Sequence, residues 1–166
     1  MRKRVAGDGL KLFKIPRLYI ETSVINGVFS KDVRIRIISS VFFEKIRAEE
    51  IEGHVSSYVL AELYETPDAD KRARLLRFAA LCIADAPSGS KIEELGRKYV
   101  ERGMIPRKYI FDAYHIASAS VGGFEALVTW NYEHILKVKT EELLRIVNKE
   151  LGINVLELRS PEVYVW

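Results

Sequence analysis

Between Val33 and Ile46 the apolar residues fall at 35, 38, 42 and 46, with 37 and 41 beside them, and this spacing predicts an amphipathic helix. RLYIE (17–21) has a different pattern, a short apolar stretch closed by a carboxylate, and predicts a buried strand. Thr22 and Ser23 can then cap a helix beginning near Val24. Past Gly53, HVSS (54–57) predicts a short strand leading into a helix through YVLAELYE (58–65). Thr66-Pro67-Asp68 predicts a turn, DKRARLLRFAALC (70–82) an amphipathic helix, and CIADAP (82–87) a strand stopped by Pro87. A further helix is expected from Ser90 to about Glu101, ending near Gly103. Pro106 precedes RKYIFDAYHIASASV (107–121), a segment of helix formers and small residues closed by Gly122-Gly123. ALVTW (126–130) predicts a strand, EHILKVKTEELLRIVNKELG (133–152) is mostly helical, and NVLEL (154–158) completes the set.

Strands alternating with helices predict an α/β fold with a mainly parallel sheet covered on both faces. In such open sheets, ligands bind beyond the carboxyl ends of the strands. The chain has 166 residues, 48% apolar and 30% charged, which excludes a disordered chain and fits one domain. A chain of this length buries roughly 70% of its unfolded surface, so no disulfide or metal staple is needed. Cys82 is the sole cysteine and cannot form an internal disulfide, which points to a reducing compartment. Within LLRFAALCIA it reads as a small core residue and not as a nucleophile. No apolar run is long enough to span a bilayer and no signal-peptide core follows the basic start, so a cytoplasmic location is expected.

The net charge of +3 is unevenly spread. Arg2, Lys3, Arg4, Lys11, Lys14 and Arg17 against Asp8 give residues 1–17 a charge of +5, which leaves −2 for the rest. Residues 1–16 therefore read as a basic arm, either a contact for a nucleic-acid backbone or a plainly solvated terminus, ahead of one domain over 17–166.

The strand-end rule singles out Glu21, which closes the first strand, and Asn131, which follows ALVTW. Side chains alternate along a strand, so Tyr19 shares a side with Glu21, as Leu127 and Thr129 do with Asn131. Each taken alone reads equally as a helix cap or a loop hydrogen bond. Glu62 interrupts an otherwise apolar helix segment, and a carboxylate among packed residues is costly unless paired or bound to a cation. The competing reading turns it to solvent beside a neighbouring base. Asp112 lies in FDAYHIASA, where Ala113, Ala117, Ser118 and Ser120 allow the helix to lie close to the sheet. Near a helix start it reads equally as a cap. His115 faces the same way three residues on, and is better read as a satisfied core histidine than as a ligand. No CxxC, HExxH, P-loop, GxSxG or GxGxxG pattern occurs, which excludes the common zinc, nucleotide and serine-hydrolase readings. Three dispersed carboxylates and an amide remain, an oxygen donor set suited to Mg²⁺ or Mn²⁺. Such an ion can polarise a phosphate oxygen and activate water for in-line attack, so the residues reach a carboxylate metal site compatible with phosphodiester chemistry.

The order and wording of these segments resemble the PIN-domain ribonuclease family. YIETSVING (19–27), SSYVLAELYE (56–65), IFDAYHIASA (110–119) and LVTWNYEHI (127–135) look like its four ordered acidic motifs, and the likeness covers nearly everything after residue 17. The resemblance implies a three-layer α/β/α fold, Mg²⁺- or Mn²⁺-dependent endoribonuclease activity and often a homodimer. Many compact members are VapC-type toxins of toxin–antitoxin pairs, which the chain resembles, and this implies RNA as substrate and a cognate antitoxin as partner. Carried over by position, Glu21, Glu62 and Asp112 are the acidic metal ligands. Asn131 is the fourth site member, binding metal weakly or through water. Ser23, Thr22 and Thr129 support the site, with Ser23 and Thr22 orienting a ligand or metal-bound water.

Two departures from the family pattern stand out. Glu21 and Asn131 each occupy positions where aspartate is the commoner residue. The longer Glu21 can displace the site by a methylene, and Asn131 removes a charge, which weakens a second metal site more than the first. These departures support an alternative, a catalytically silent PIN-like module that binds RNA or protein. A structure-directed DNA nuclease is the remaining alternative.

Overall fold

The computed structural model describes residues 3–4 and 13–166. A two-stranded antiparallel ribbon joins β1 (Lys3–Arg4) to β2 (Phe13–Lys14), and Lys14 pairs with Glu125 at 2.9 Å. The rest of the basic arm expected over residues 1–16 lies largely outside the described residues.

Leu18, Tyr19 and Ile20 are fully buried in β3 (Arg17–Ile20), as a strand covered on both faces requires. This strand pairs in parallel with β4 (Glu52–His54) on one side and β5 (Ala126–Val128) on the other. β5 pairs in parallel with β6 (Glu157–Arg159), giving the order β4-β3-β5-β6. The chain therefore moves to one side of β3 and then to the other, and the crevice at such a reversal is where open α/β sheets bind ligands.

Among the described residues seven helices cover the sheet: α1 (Thr22–Gly27), α2 (Val33–Arg47), α3 (Ser57–Tyr64), α4 (Ala69–Ala79), α5 (Ser90–Glu101), α6 (Ile110–Val121) and α7 (Val138–Glu150). Alternation along β3 sends neighbouring side chains to opposite layers. The Tyr19 hydroxyl reaches His115 of α6 at 2.7 Å, whereas Ile20 meets Ile46 of α2 beside Gly53. Phe43 of α2 packs edge-on against Phe78 of α4, with ring centroids 5.3 Å apart. On the other face, Tyr99 of α5 donates to Asn148 Oδ1 of α7 at 2.6 Å, and Asn148 Nδ2 donates to Ser120 of α6 at 3.0 Å. The result is the expected three-layer α/β/α sandwich. Among the described residues no helix is long and apolar enough to cross a membrane.

Three segments differ from the sequence expectations. Residues 82–87 form a single bridge, His54 to Ile83, and not a strand. There Asp85 turns aside to accept a hydrogen bond at His54 Nδ1 (2.6 Å), and Pro87 has no N–H for a ladder. Cys82 is half-buried behind Gly53, and burial pushes its thiol up to about 12, as befits an inert packing residue. Residues 131–137 are turns, because the Asn131 carbonyl and side chain take the amides of residues 134, 135 and 136 before a helix can form. At the start of α1 the N-cap is Glu21 and not Thr22 or Ser23, its carboxylate accepting from the Ser23 amide at 3.1 Å.

α6, which carries Asp112 and His115, approaches α5 closely at Gly96. A Cβ there would lie 2.5 Å from Tyr114 Cδ1 and 3.3 Å from the Ala113 carbonyl carbon. Alanine raises helix propensity by about 1 kcal/mol over glycine, but overpacking costs about 1–3 kcal/mol. Gly96→Ala is therefore expected to destabilise the fold by about 1 kcal/mol, read as a lower urea midpoint; a raised midpoint would show that the helices have room to part.

Candidate metal centre

The sheet extends one residue past β3 and β5, because the Glu21 amide donates to the Val128 carbonyl at 3.0 Å. Glu21 thus lies beside Thr129 at the carboxyl edge of the two central strands. Its side chain is buried, and three donors converge on Oε2: the Ser23 amide at 3.1 Å, the Ser23 hydroxyl, and the Thr129 hydroxyl at 2.7 Å. Both hydroxyls also accept a backbone N–H, Ser23 from Trp130 at 2.8 Å and Thr129 from Asn131 at 2.9 Å. These bonds make a buried carboxylate tolerable. Among the described residues nothing donates to its other oxygen, Oε1.

α3 and α6 supply the remaining acids. Glu62 is partly exposed, and its Oε1 meets His115 Nε2 in a short contact. The other ring nitrogen of His115 meets the Tyr19 hydroxyl at 2.7 Å, and that hydroxyl meets Ser56 Oγ at 2.7 Å. Burial and the charges of Glu21 and Glu62, against the bond to Ser56, hold the Tyr19 hydroxyl well above its ordinary range. Burial alone would push the His115 imidazole down. Its bond to Glu62 and the charges of Glu21, Glu62 and Asp112 outweigh that and hold it above the ordinary histidine range.

One donor atom each from Glu21, Glu62 and His115 lie within 4.8 Å of one another. Asp112 is not part of this tight group but faces the same space. It lines a cavity of about 580 Å³ together with Glu21, Ser23 and Asn131, and its Oδ2 accepts from Asn131 Nδ2 at 3.2 Å. Burial, then the charge of Glu21, raises the Asp112 carboxyl to about 6, against the pull of His115, His134 and Asn131. The Asn131 amide is engaged at both ends, since its Oδ1 accepts from the His134 N–H at 2.9 Å. Asn131 thus holds Asp112 in place, and an aspartate there would lose that donor. Thr22 is buried, and its hydroxyl has no hydrogen-bond partner among the described residues.

The donor set suits a divalent cation: carboxylate oxygens and one imidazole, with no thiolate. His115 is the satisfied core histidine expected from the sequence, buried with a partner on each ring nitrogen. Its Nε2 also lies within the acidic group and could hold an ion there, and its place three residues from Asp112 on one helix face is the sequence signal for that position.

Comparison with protein-family models returns no match, and comparison with curated proteins returns none either.

The raised Asp112 pKa has a sign that can be tested in metal-free protein. The folded state binds this proton more tightly than the unfolded chain, so stability is lost as pH rises from about 4 through about 6. Asp112→Asn removes the penalty. The variant is expected to melt above the parent at pH 7.5, with the gap shrinking toward pH 4; a pH-independent gap would show that the Asp112 carboxyl is not raised by its burial and by Glu21.

Proposed function

We propose that the chain is a divalent-metal-dependent endoribonuclease. The observation that carries the reading is the convergence of Glu21, Glu62 and Asp112, from three separate segments, at the carboxyl edge of β3 and β5. Like charges brought together in a partly buried pocket repel, and a bound cation relieves that cost. Among the described residues no lysine or arginine lines the cavity, so a phosphodiester approaches this acidic space only with a cation to screen it.

Glu21 presents Oε1 while Ser23 and Thr129 saturate Oε2, so its orientation is fixed before any ligand arrives. Asn131 keeps Asp112 turned to the same cavity, and His115 holds Glu62. When bound, the ion supplies Lewis-acid polarisation of the phosphate and lowers the pKa of water. Carboxylates of the cluster orient the attacking water opposite the departing 3′ oxygen, which leaves with a proton. The products are then a 5′-phosphate and a 3′-hydroxyl. The exposed ring of Tyr132 and the half-buried Trp130 line the cavity and offer surfaces for bases or sugars of a single strand, whereas Tyr109 is stacked on His134. Action as the toxin of a toxin–antitoxin pair, with an antitoxin partner and a homodimeric state, follows from the sequence resemblance alone.

Purified protein is expected to cleave single-stranded RNA with Mn²⁺ or Mg²⁺ and to stop on chelation. Asp112→Asn and Glu21→Gln are expected to lose more than the roughly 10- to 100-fold typical of removing an outer-shell partner, with circular dichroism unchanged. Full cleavage in the presence of chelator would sink the reading. Retained RNA binding without metal-dependent turnover would favour the silent module.

A further inference from the structure

We infer that His115 is itself a ligand of the ion, through Nε2, so that the centre has mixed nitrogen and oxygen donors and prefers first-row transition ions to Mg²⁺. This rests on the metal-site part of the nuclease reading and is independent of RNA as substrate. The His115 side chain is 1% exposed, so its ring cannot swing away to solvent. Tyr19 crosses it edge-on with centroids 5.9 Å apart, and Tyr58 does so at 6.4 Å. That packing directs Nε2 at the carboxylates.

The second observation concerns the far side of the ring. Nδ1 faces the Tyr19 hydroxyl, which faces Ser56 Oγ, both at 2.7 Å. Without an ion, a proton lies between Nε2 and Glu62 Oε1 in their short contact. When an ion takes that proton's place, Nδ1 can donate to Tyr19 and Tyr19 to Ser56, which leaves Nε2 as the lone-pair nitrogen of a neutral ring. Outer hydrogen bonds of this kind are what fix the tautomer of metal-bound histidines.

Distances allow closure. Donors at right angles on an ion about 2.1 Å away lie about 3 Å apart, and opposite ones about 4 Å. The Glu21, Glu62 and His115 atoms all fall within 4.8 Å, so shifts of under about 1 Å complete the geometry. The direct contact of His115 with Glu62 opens as the ion replaces it. Asp112, outside the tight group, then meets the ion's remaining positions from the cavity side. Imidazole nitrogen adds affinity along the series from Mn²⁺ toward Cu²⁺ and little for Mg²⁺, which favours oxygen and water.

The test is pulsed EPR of Mn²⁺ bound to full-length protein grown with ¹⁵N-histidine. The chain has three histidines, His54, His115 and His134. Coupling of the electron spin to a histidine nitrogen is expected in the parent, retained in His134→Gln and lost in His115→Gln. If His115→Gln does not fold, retention in His134→Gln still decides the matter, because Asp85 and Glu52 hold both nitrogens of His54 at 2.6 and 2.9 Å. Competition titration should also show Mn²⁺ binding at least roughly tenfold more tightly than Mg²⁺. Bound Mn²⁺ without nitrogen coupling, or coupling lost in His134→Gln, overturns the inference. If such protein still cuts RNA, the nuclease reading survives; coupling without cleavage supports the ligand and removes the nuclease. Absence of Mn²⁺ binding overturns both.

Discussion

Glu21 is a carboxylate buried at the end of the central strand, and the site depends on keeping it there charged and correctly turned. A lone buried carboxylate is expensive, and the structure offsets that cost on one oxygen only. Ser23 and Thr129 each donate to Oε2 while accepting a backbone N–H from residues 130 and 131. Two hydroxyls therefore tie the strand end, the first turn of α1 and the loop after β5 into one rigid unit. Oε1 is left as the open face of that unit. Rigid strands hold ligands more accurately than loops do, which is why the sheet edge suits a carboxylate cluster.

The other acids reach this edge from helices, and each arrives with a restraint. Asn131 holds Asp112, and His115 holds Glu62. Among the described residues the cavity wall carries Glu21, Asp112 and Glu133 with His134 and no lysine or arginine, and Glu62 and His115 lie beside Glu21. Burial, and then the charge of Glu21, raises the Asp112 carboxyl to about 6. An arrangement that spends stability on unbalanced negative charge is more intelligible as a cation site than as a packing accident.

Much of this could be read from the chain. The alternation of apolar runs predicts a parallel α/β sheet, and the strand-end rule picks Glu21 and Asn131 from among many polar residues. Two of the readings that missed share a cause: a polar side chain made a hydrogen bond that the local pattern does not announce, to backbone amides at Asn131 and to the His54 ring at Asp85. Asn131 claims three amides and delays α7 to Val138, and Asp85 turns to His54 and interrupts the strand expected at 82–87. His115 is core as its isolated place among small apolar residues suggests, and its nearness to Glu21 and Glu62 could not be read from the chain. Glu62 was equally ambiguous, since a helix of that composition can face either way.

The bond between Thr129 and Glu21 spans 108 residues. During synthesis, Thr129 follows Glu21 by 108 residues. At about 5–20 residues per second, a nascent chain spends several seconds with its first acid made and its neighbours absent. Long-range parallel pairing is also intrinsically slow to form. Any chemistry at this cluster therefore waits until the strand before Thr129 has been made and has paired with β3.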